Sequence, residues 1–443
     1  MSVATASPLV EALDAQAGAL VADSVDPALA GVRSAAREAA RRHGLPTTRS
    51  ERWKYTNLRA LAARRFVAAA AGVEVDPTTI ADVPAPRLVI ANGRCAPALS
   101  DLHGLPAGLR VRLLSEVLRD APGEAAAWLA TDGSRADAVF PQWNGALAGE
   151  GFVLEVEAGL RIDTPLHLVV LGVEDGGDRA FHLRHRLVLG AGATLAVIEH
   201  HLGAGAHRHL HNSVFRIELG EGAVLTQARV QHEADGATLI QHTQARLGAD
   251  AHYRRLDLEL GSTLSRHELE VELAGDGAVL EANGVLLADG RRHLDTRLGI
   301  EHRGRDTRSE LGWRGLGAQR GRMVFHGGIR IAEGADGANA ALSNKNLLLD
   351  DGAEIDTQPV LVIHADDVQA AHGATVGRLD EAALFYLRTR GLPLAEATAL
   401  LTGAFLREPL AVLEPSGLEA LLSAALDARL SAATPGRREA AAR

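Results

Sequence analysis

Cysteine is almost missing from this 443-residue chain, Cys95 being its single example. A lone thiol excludes an internal disulfide and every CxxC metal site, and outside any motif it reads as inert. Aromatic residues are scarce too, at 3%, so a core has to be built from Leu, Val, Ile and Ala. Small uniform side chains suit repeated layers better than a core arranged around large rings. Lysine occurs only at Lys54 and Lys345, with arginine everywhere else. That bias suggests two positions wanting a compact ammonium. No apolar run approaches the ~18 residues of a bilayer-spanning helix, and the N-terminal stretch lacks the basic and apolar regions of a secretory signal. A cytoplasmic protein is expected, with no membrane partner. The net charge of −10 and the lack of a long Lys/Arg run argue against nucleic acid. The basic stretch Arg33 to Arg42 reads as a solvated helix face.

What is present divides the chain. Residues 1–135 read as a mainly helical domain. Ala28 to His43 has helical spacing with a stop at Gly44 and Pro46. Thr48 and Glu51 have capping-box spacing, so a short helix is expected there. Leu88 to Ile90 reads as a strand running into the Asn92-Gly93 turn. Ser115 to Leu118 and Glu124 to Ala130 read as helices.

From about Phe140 the pattern changes to short alternating runs broken by Gly-Ala or Asp-Gly corners. Aligned corners fall at Gly192, Gly222, Asp250 and Gly277, with looser echoes at Gly304 and Gly334. A recurring unit of that length, with no helical stretch inside it, predicts a β-solenoid over 136–376. One coil cannot bury its inward Leu and Val alone, whereas stacked coils bury them as ladders. Residues 377–434 return to helical patterning. Leu394, Ala397, Leu400, Leu401, Ala404 and Phe405 form one apolar stripe, and Leu418, Leu421, Leu422 and Leu426 another, behind a Ser416 to Glu419 capping box. Residues 435–443 read as a disordered tail.

Several segments resemble the SufB/SufD family of iron–sulfur cluster assembly scaffolds. They are Ser50-Glu-Arg-Trp-Lys-Tyr-Thr-Asn-Leu58, Phe140-Pro-Gln-Trp-Asn-Gly-Ala-Leu147 with Pro165, and the long run Phe325 to Gly391. That run holds Asn344-Lys-Asn, Pro359-Val-Leu-Val-Ile-His-Ala-Asp-Asp-Val368, His372-Gly-Ala-Thr-Val-Gly377 and Leu384-Phe-Tyr-Leu-Arg388. The resemblance implies a mostly β fold, a right-handed parallel β-helix flanked by helical domains. It also implies a non-catalytic, SufD-type subunit. Such a subunit pairs with SufB through the solenoids and docks the ATPase SufC on its C-terminal helices, through Leu384, Phe385, Tyr386, Arg388, Leu400, Leu401 and Phe405. Iron or a cluster would be held transiently in the complex, reduced FAD is a possible companion, and a homodimer is possible when the chain is alone. Many relatives carry Cys-Ser-His where this chain has Ala370-Ala371-His372, so no thiol is offered here.

His372 is then the candidate iron or cluster ligand at the SufB interface, because neutral imidazole suits iron; a turn histidine is the plainer reading. His207, His209 and His211 would share one strand face that suits a metal, with Glu199-His200-His201 nearby; an outward, solvated face is the plainer reading. Asp366 and Asp367 read as a turn with Asx-type bonds, or with His364 as outer-shell support for His372. Two other functions fit a solenoid: a SufB-like scaffold assembling clusters alone, and a β-helix enzyme acting on polysaccharides. The second lacks an aligned Asp cluster.

Overall fold

In the computed structural model, which describes residues 7–69 and 72–433, the alternating segments wind into eight stacked coils. Each coil gives one strand to each of two parallel sheets. The first sheet runs through Phe152–Val156, Arg179–Leu189, Leu210–Leu219, Thr238–Leu247, Leu264–Leu273, His293–His302, Arg322–Ile331 and Glu354–Ile363. The second runs through Leu166–Val173, Thr194–Ala204, Val224–His232, His252–Glu259, Val279–Ala288, Arg308–Gly317, Asn339–Leu348 and Gln369–Gly377. The expected β-solenoid is the fold.

Corners explain the repeat. Gly192, Gly222, Asp250 and Gly277 all have positive φ (65°, 61°, 52°, 70°), a region only glycine enters freely and aspartate tolerates. Strand register continues that column to Asp306 and Gly337, not to the expected Gly304 and Gly334. Gly304 is glycine for another reason: a β-carbon there would strike the Gly275 carbonyl of the coil beneath.

Inward side chains alternate along every strand. Near the corners they are apolar, as in the ladders Leu195–Leu225–Tyr253–Leu280 and Ile217–Ala245–Val271–Ile300–Ile329, all buried. Each large apolar side chain so buried contributes about 1.5–3 kcal/mol. Further along the strands the interior turns polar. Arg255 there forks onto Asp257 with two bonds of 2.8 Å and also donates to Gln227 and Tyr253. Arg229 donates to Gln241 at 2.6 Å and pairs with Glu259. Buried charges persist only when paired and hydrogen-bonded in this way.

Segment 1–135 holds helices and short strands, the strand read at Leu88 among them. Helices Pro8–Ala22 and Pro27–His43 are capped by Ser7 and Asp26, and the second ends at Gly44 (φ 65°). Leu114–Asp120 and Pro122–Leu129 are helical as read. Strand Arg87–Ala91, however, pairs in parallel with Leu166–Val173, and Leu109–Leu113 pairs antiparallel with Phe152–Val156. Together they cover the first coil. The Phe140 run is the helix Val139–Leu147, not a strand, and it buries Phe140 and Trp143. Thr48 caps nothing; a single 3₁₀ turn, Glu51–Trp53, forms without a side-chain cap. Arg33 departs from the solvated-face reading, being buried and donating to the Ala146 and Ala148 carbonyls at 2.7 and 2.8 Å. Among the described residues, no helix is long and apolar enough to cross a membrane. The proposed tail 435–443 lies outside the described residues.

Candidate functional site

The two ends of the solenoid differ. The first coil is covered, whereas the last strands, Glu354–Ile363 and Gln369–Gly377, contain no buried residue. Register places Ile355, Leu361 and Ile363 over the buried Met323, Ile329 and Ile331. It likewise sets Ala370 and His372 over the buried Ala340 and Leu342. These are inward positions of a stack with no ninth coil above them. Ile363 and Val376 remain 42% and 43% exposed. Both strands are sheet edges, carrying the unpaired N–H and C=O groups that a further strand would satisfy.

His372 is exposed, and its imidazole makes no hydrogen bond to the described residues. Beside it opens a cavity of about 450 Å³ lined by Ser343, Lys345, Arg314 and Glu408 as well as His372. One of the two lysines thus lies at this end of the molecule. The other, Lys54, sits 5.2 Å over the Tyr55 ring. Asn344 and Asn346 are buried behind this end, bonded to each other, to Thr357 and to the Thr375 carbonyl. The Asn-Lys-Asn segment therefore braces the last two coils. Asp366 and Asp367 lie in the bend between the two last strands. They make no Asx bond there; the Asp367 carbonyl accepts from Gly337 N–H at 2.7 Å.

The C-terminal helices split their apolar residues between two surfaces. The outer face of the second sheet is apolar (Ile198, Val230, Leu256, Leu258, Val285, Leu287), and Leu406, Leu410, Leu413, Leu418, Leu422 and Leu426 pack on it. Arg314 clamps the junction through Glu408, and Arg429 donates to the Leu260 carbonyl and pairs with Asp289. Helix Glu381–Thr389 buries nothing. Phe385, Tyr386, Leu394 and Leu400 are at least half exposed and Arg388 is exposed, while Leu384, Leu401 and Phe405 are half-buried. Along the apolar stripe from Leu394 to Phe405, the exposed Leu394 and Leu400 alternate with the buried Ala397. The buried positions of the helix that carries this stripe are Ala397, Thr402, Gly403 and Leu406, of which Leu406 packs on the sheet. Leu418, Leu422 and Leu426 point inward as expected.

Other candidates resolve differently. His207, His209 and His211 are buried, not solvated, and the first two precede the strand. His209 Nε2 lies 2.7 Å from the Val173 carbonyl and His211 Nδ1 lies 3.2 Å from Glu233. Burial, the largest influence on Glu233, opposes its charge, but the His211 hydrogen bond together with the fields of His211, His201 and His207 outweighs it and holds the carboxyl down at about 2. Burial pushes the Cys95 thiol up to about 11, so it stays protonated and unreactive.

Sequence reading missed a second polar centre on the outer face of the first sheet. The Ser50 to Leu58 motif lies against it. Trp53 is buried, donates to the Asp137 carbonyl and stacks 3.8 Å under the Arg266 guanidinium. Arg52 pairs with Asp137, Glu268 and Glu270, and Thr56 with Asp295. His242, Glu268 and Glu270 bring their ligand-type atoms within 4.8 Å of one another. Both carboxylates are already neutralised by Arg52, with Arg266 on Glu268 and Arg135 on Glu270. The signal for this centre is the column of outward residues that register aligns, His242, Glu268, Arg297 and His326.

Two family models match this chain. The SUF system FeS cluster assembly SufBD core domain covers residues 172–405, and the SufBD N-terminal region covers residues 10–168. Among curated relatives, the iron–sulfur cluster assembly protein SufD of Escherichia coli is 32% identical, covering 85% of this chain and 88% of the relative. A SufBD family protein of Synechocystis is 29% identical over 91% and 92%. SufD of Bacillus subtilis is 28% identical over 59% and 60%.

Proposed function

Because the chain belongs to the SufB/SufD family of iron–sulfur cluster assembly proteins, we propose that it is the SufD-type, non-catalytic scaffold subunit, completed by a SufB-type partner at its open end. The observation that carries this reading is the unfinished last coil. Its edge strands and the exposed Ile363 and Val376 call for a partner that adds strands and covers the apolar ladder. With no partner present, a second copy can use the same edge. His372 would meet iron or a nascent cluster, the cargo of the complex, together with a thiolate from the partner. Ala370 and Ala371 supply no thiol, which argues against a chain that assembles clusters alone.

The exposed aromatic face around Phe385 and Tyr386 would dock the SufC-type ATPase. Its nucleotide-driven movement would reach the solenoid through the Arg314–Glu408 clamp. The test is co-expression with SufB-type and SufC-type subunits, followed by pull-down and by iron and sulfide analysis. Wild type should form a stable complex that gains clusters. His372→Ala should form the same complex with a severalfold lower cluster yield. An unchanged yield would remove His372 from the mechanism, and absence of any complex would end the scaffold reading.

A further inference from the structure

The outer face of the first sheet holds an open cavity of about 820 Å³, roofed on one side by the N-terminal segment through Arg52, Arg135 and Asp137. Its charges pair off almost completely. Arg52 and Arg135 are on Asp137 and Glu270, Arg246 is on Glu272, and Arg330 faces Glu301 at 3.9 Å. Glu218 takes Arg186, and Arg216 donates to the Trp128 and Ala130 carbonyls. Arg297 is the exception. It is 6% exposed, lines the cavity, and has no hydrogen-bond or ion-pair partner among the described residues, its Nε being buried and unbonded. The two nearest carboxylates are committed elsewhere, Glu268 to Arg266 and Arg52, and Asp295 to Arg266 and Thr56.

A guanidinium this buried without an anion is costly. Burial, with the Arg266 charge, accordingly lowers its pKa to about 10 despite the pull of Asp295. The space beside it is shaped by two glycines. Gly299 and Gly328 are register neighbours, each two residues beyond Arg297 and His326 on the same outward face. A β-carbon on Gly299 would meet only a methylene of Glu270, at 3.5 Å, so packing of the sheet does not demand glycine there. His326 completes the wall, kept neutral at about 4 by burial and by the Arg297 charge.

We propose that this cavity is a binding site for a small multivalent oxyanion, seated on Arg297 beside His326 over the Gly299–Gly328 floor. Arg297 makes charge-assisted bonds to the anion, and the cavity leaves room for a larger group attached to it. Phosphate and carboxylate ligands share this chemistry.

The test is calorimetric titration of the purified full-length chain with pyrophosphate and, in a second arm, with citrate. Saturable binding in either arm is expected, and the arm with the higher affinity identifies the source of the oxyanion. Arg297→Gln should weaken it about ten- to a hundredfold, and Arg297→Lys less. Arg330→Gln, at a paired lip residue, should change it by less than threefold. If Arg297→Gln does not fold, Gly299→Val decides, since it fills the floor without removing a charge; a drop of about fivefold or more supports the site. No saturable binding to wild type, or unchanged affinity in both Arg297→Gln and Gly299→Val, overturns the proposal.

Discussion

Replacing Ile363 and Val376 together by aspartate should abolish pairing with a SufB-type subunit while leaving the solenoid folded. Full burial of such a side chain is worth about 1.5–3 kcal/mol. Some two-fifths of each is still exposed, so covering both contributes about 1–2.5 kcal/mol to the contact. The variant loses that term and also places two carboxylates where a partner's apolar ladder must sit, at a cost of several kcal/mol if they stay unpaired. The sum exceeds ~3 kcal/mol, more than a hundredfold in Kd. Within the free subunit the change costs about 1–2 kcal/mol per site, confined to the last coil of a stack whose coils contact only neighbours. Titration of the partner by calorimetry, beside thermal unfolding of the free variant, reads both quantities. A variant that binds within threefold of wild type refutes the open-end interface. Phe385→Ser, on the helical face, should leave this Kd unchanged.

Three further outcomes follow from the interior. Arg255→Leu leaves Asp257 buried without its fork and should destabilise the fold by about 3–5 kcal/mol; in a denaturant titration the midpoint falls, and the double variant with Asp257→Leu recovers part of the loss. Gly277→Val forces a branched residue to φ 70° beside Asp250 and should cost at least ~1–2 kcal/mol by the same measurement. His302, bonded to Thr307 and Ser309, is held at about 4 by burial. A depressed folded pKa means its contribution is complete above the unfolded value of about 6.5 and is lost as pH falls toward 4. At pH 5 the loss is about 2 kcal/mol. His302→Gln should flatten the fall in unfolding free energy between pH 7 and 5, read by denaturant titration, by about that amount, and an unchanged slope would show that His302 does not drive it.

The coil was legible because its corners obey a local rule. Positive φ selects glycine or aspartate whatever surrounds it, so Gly192, Gly222, Asp250 and Gly277 stand out in the bare sequence. The rule weakened at Gly304, where glycine answers to the carbonyl of the coil below rather than to its own φ. That demand is not local and has no signature along the chain. The same distinction separates Gly44, which ends its helix as read, from the Phe140 run, whose apolar density suits a buried helix as well as a buried strand. Arg33 and His207 to His211 were misplaced for one reason. Polar residues were assigned to water, yet Arg33, His209 and His211 find carbonyl or carboxylate partners contributed by segments up to 115 residues away, and His207 packs against the His209 ring.

Long-range partnership also explains how the interior could be both polar and stable. In a solenoid, register fixes which residues meet, so a charge at an inward position faces the same position one coil along. Gln227 thus lies between Val197 and Arg255, and Arg229 between Glu199 and Asp257. Opposite charges are brought together by the stacking itself, with no loop needed to carry them. The last coil is where this arithmetic stops. His372 has Leu342 beneath it and no described residue above, which is why the proposed function gives it a partner from another chain or from the cargo. An end left incomplete by the same rule that completes every other coil is the physical reason to place function there.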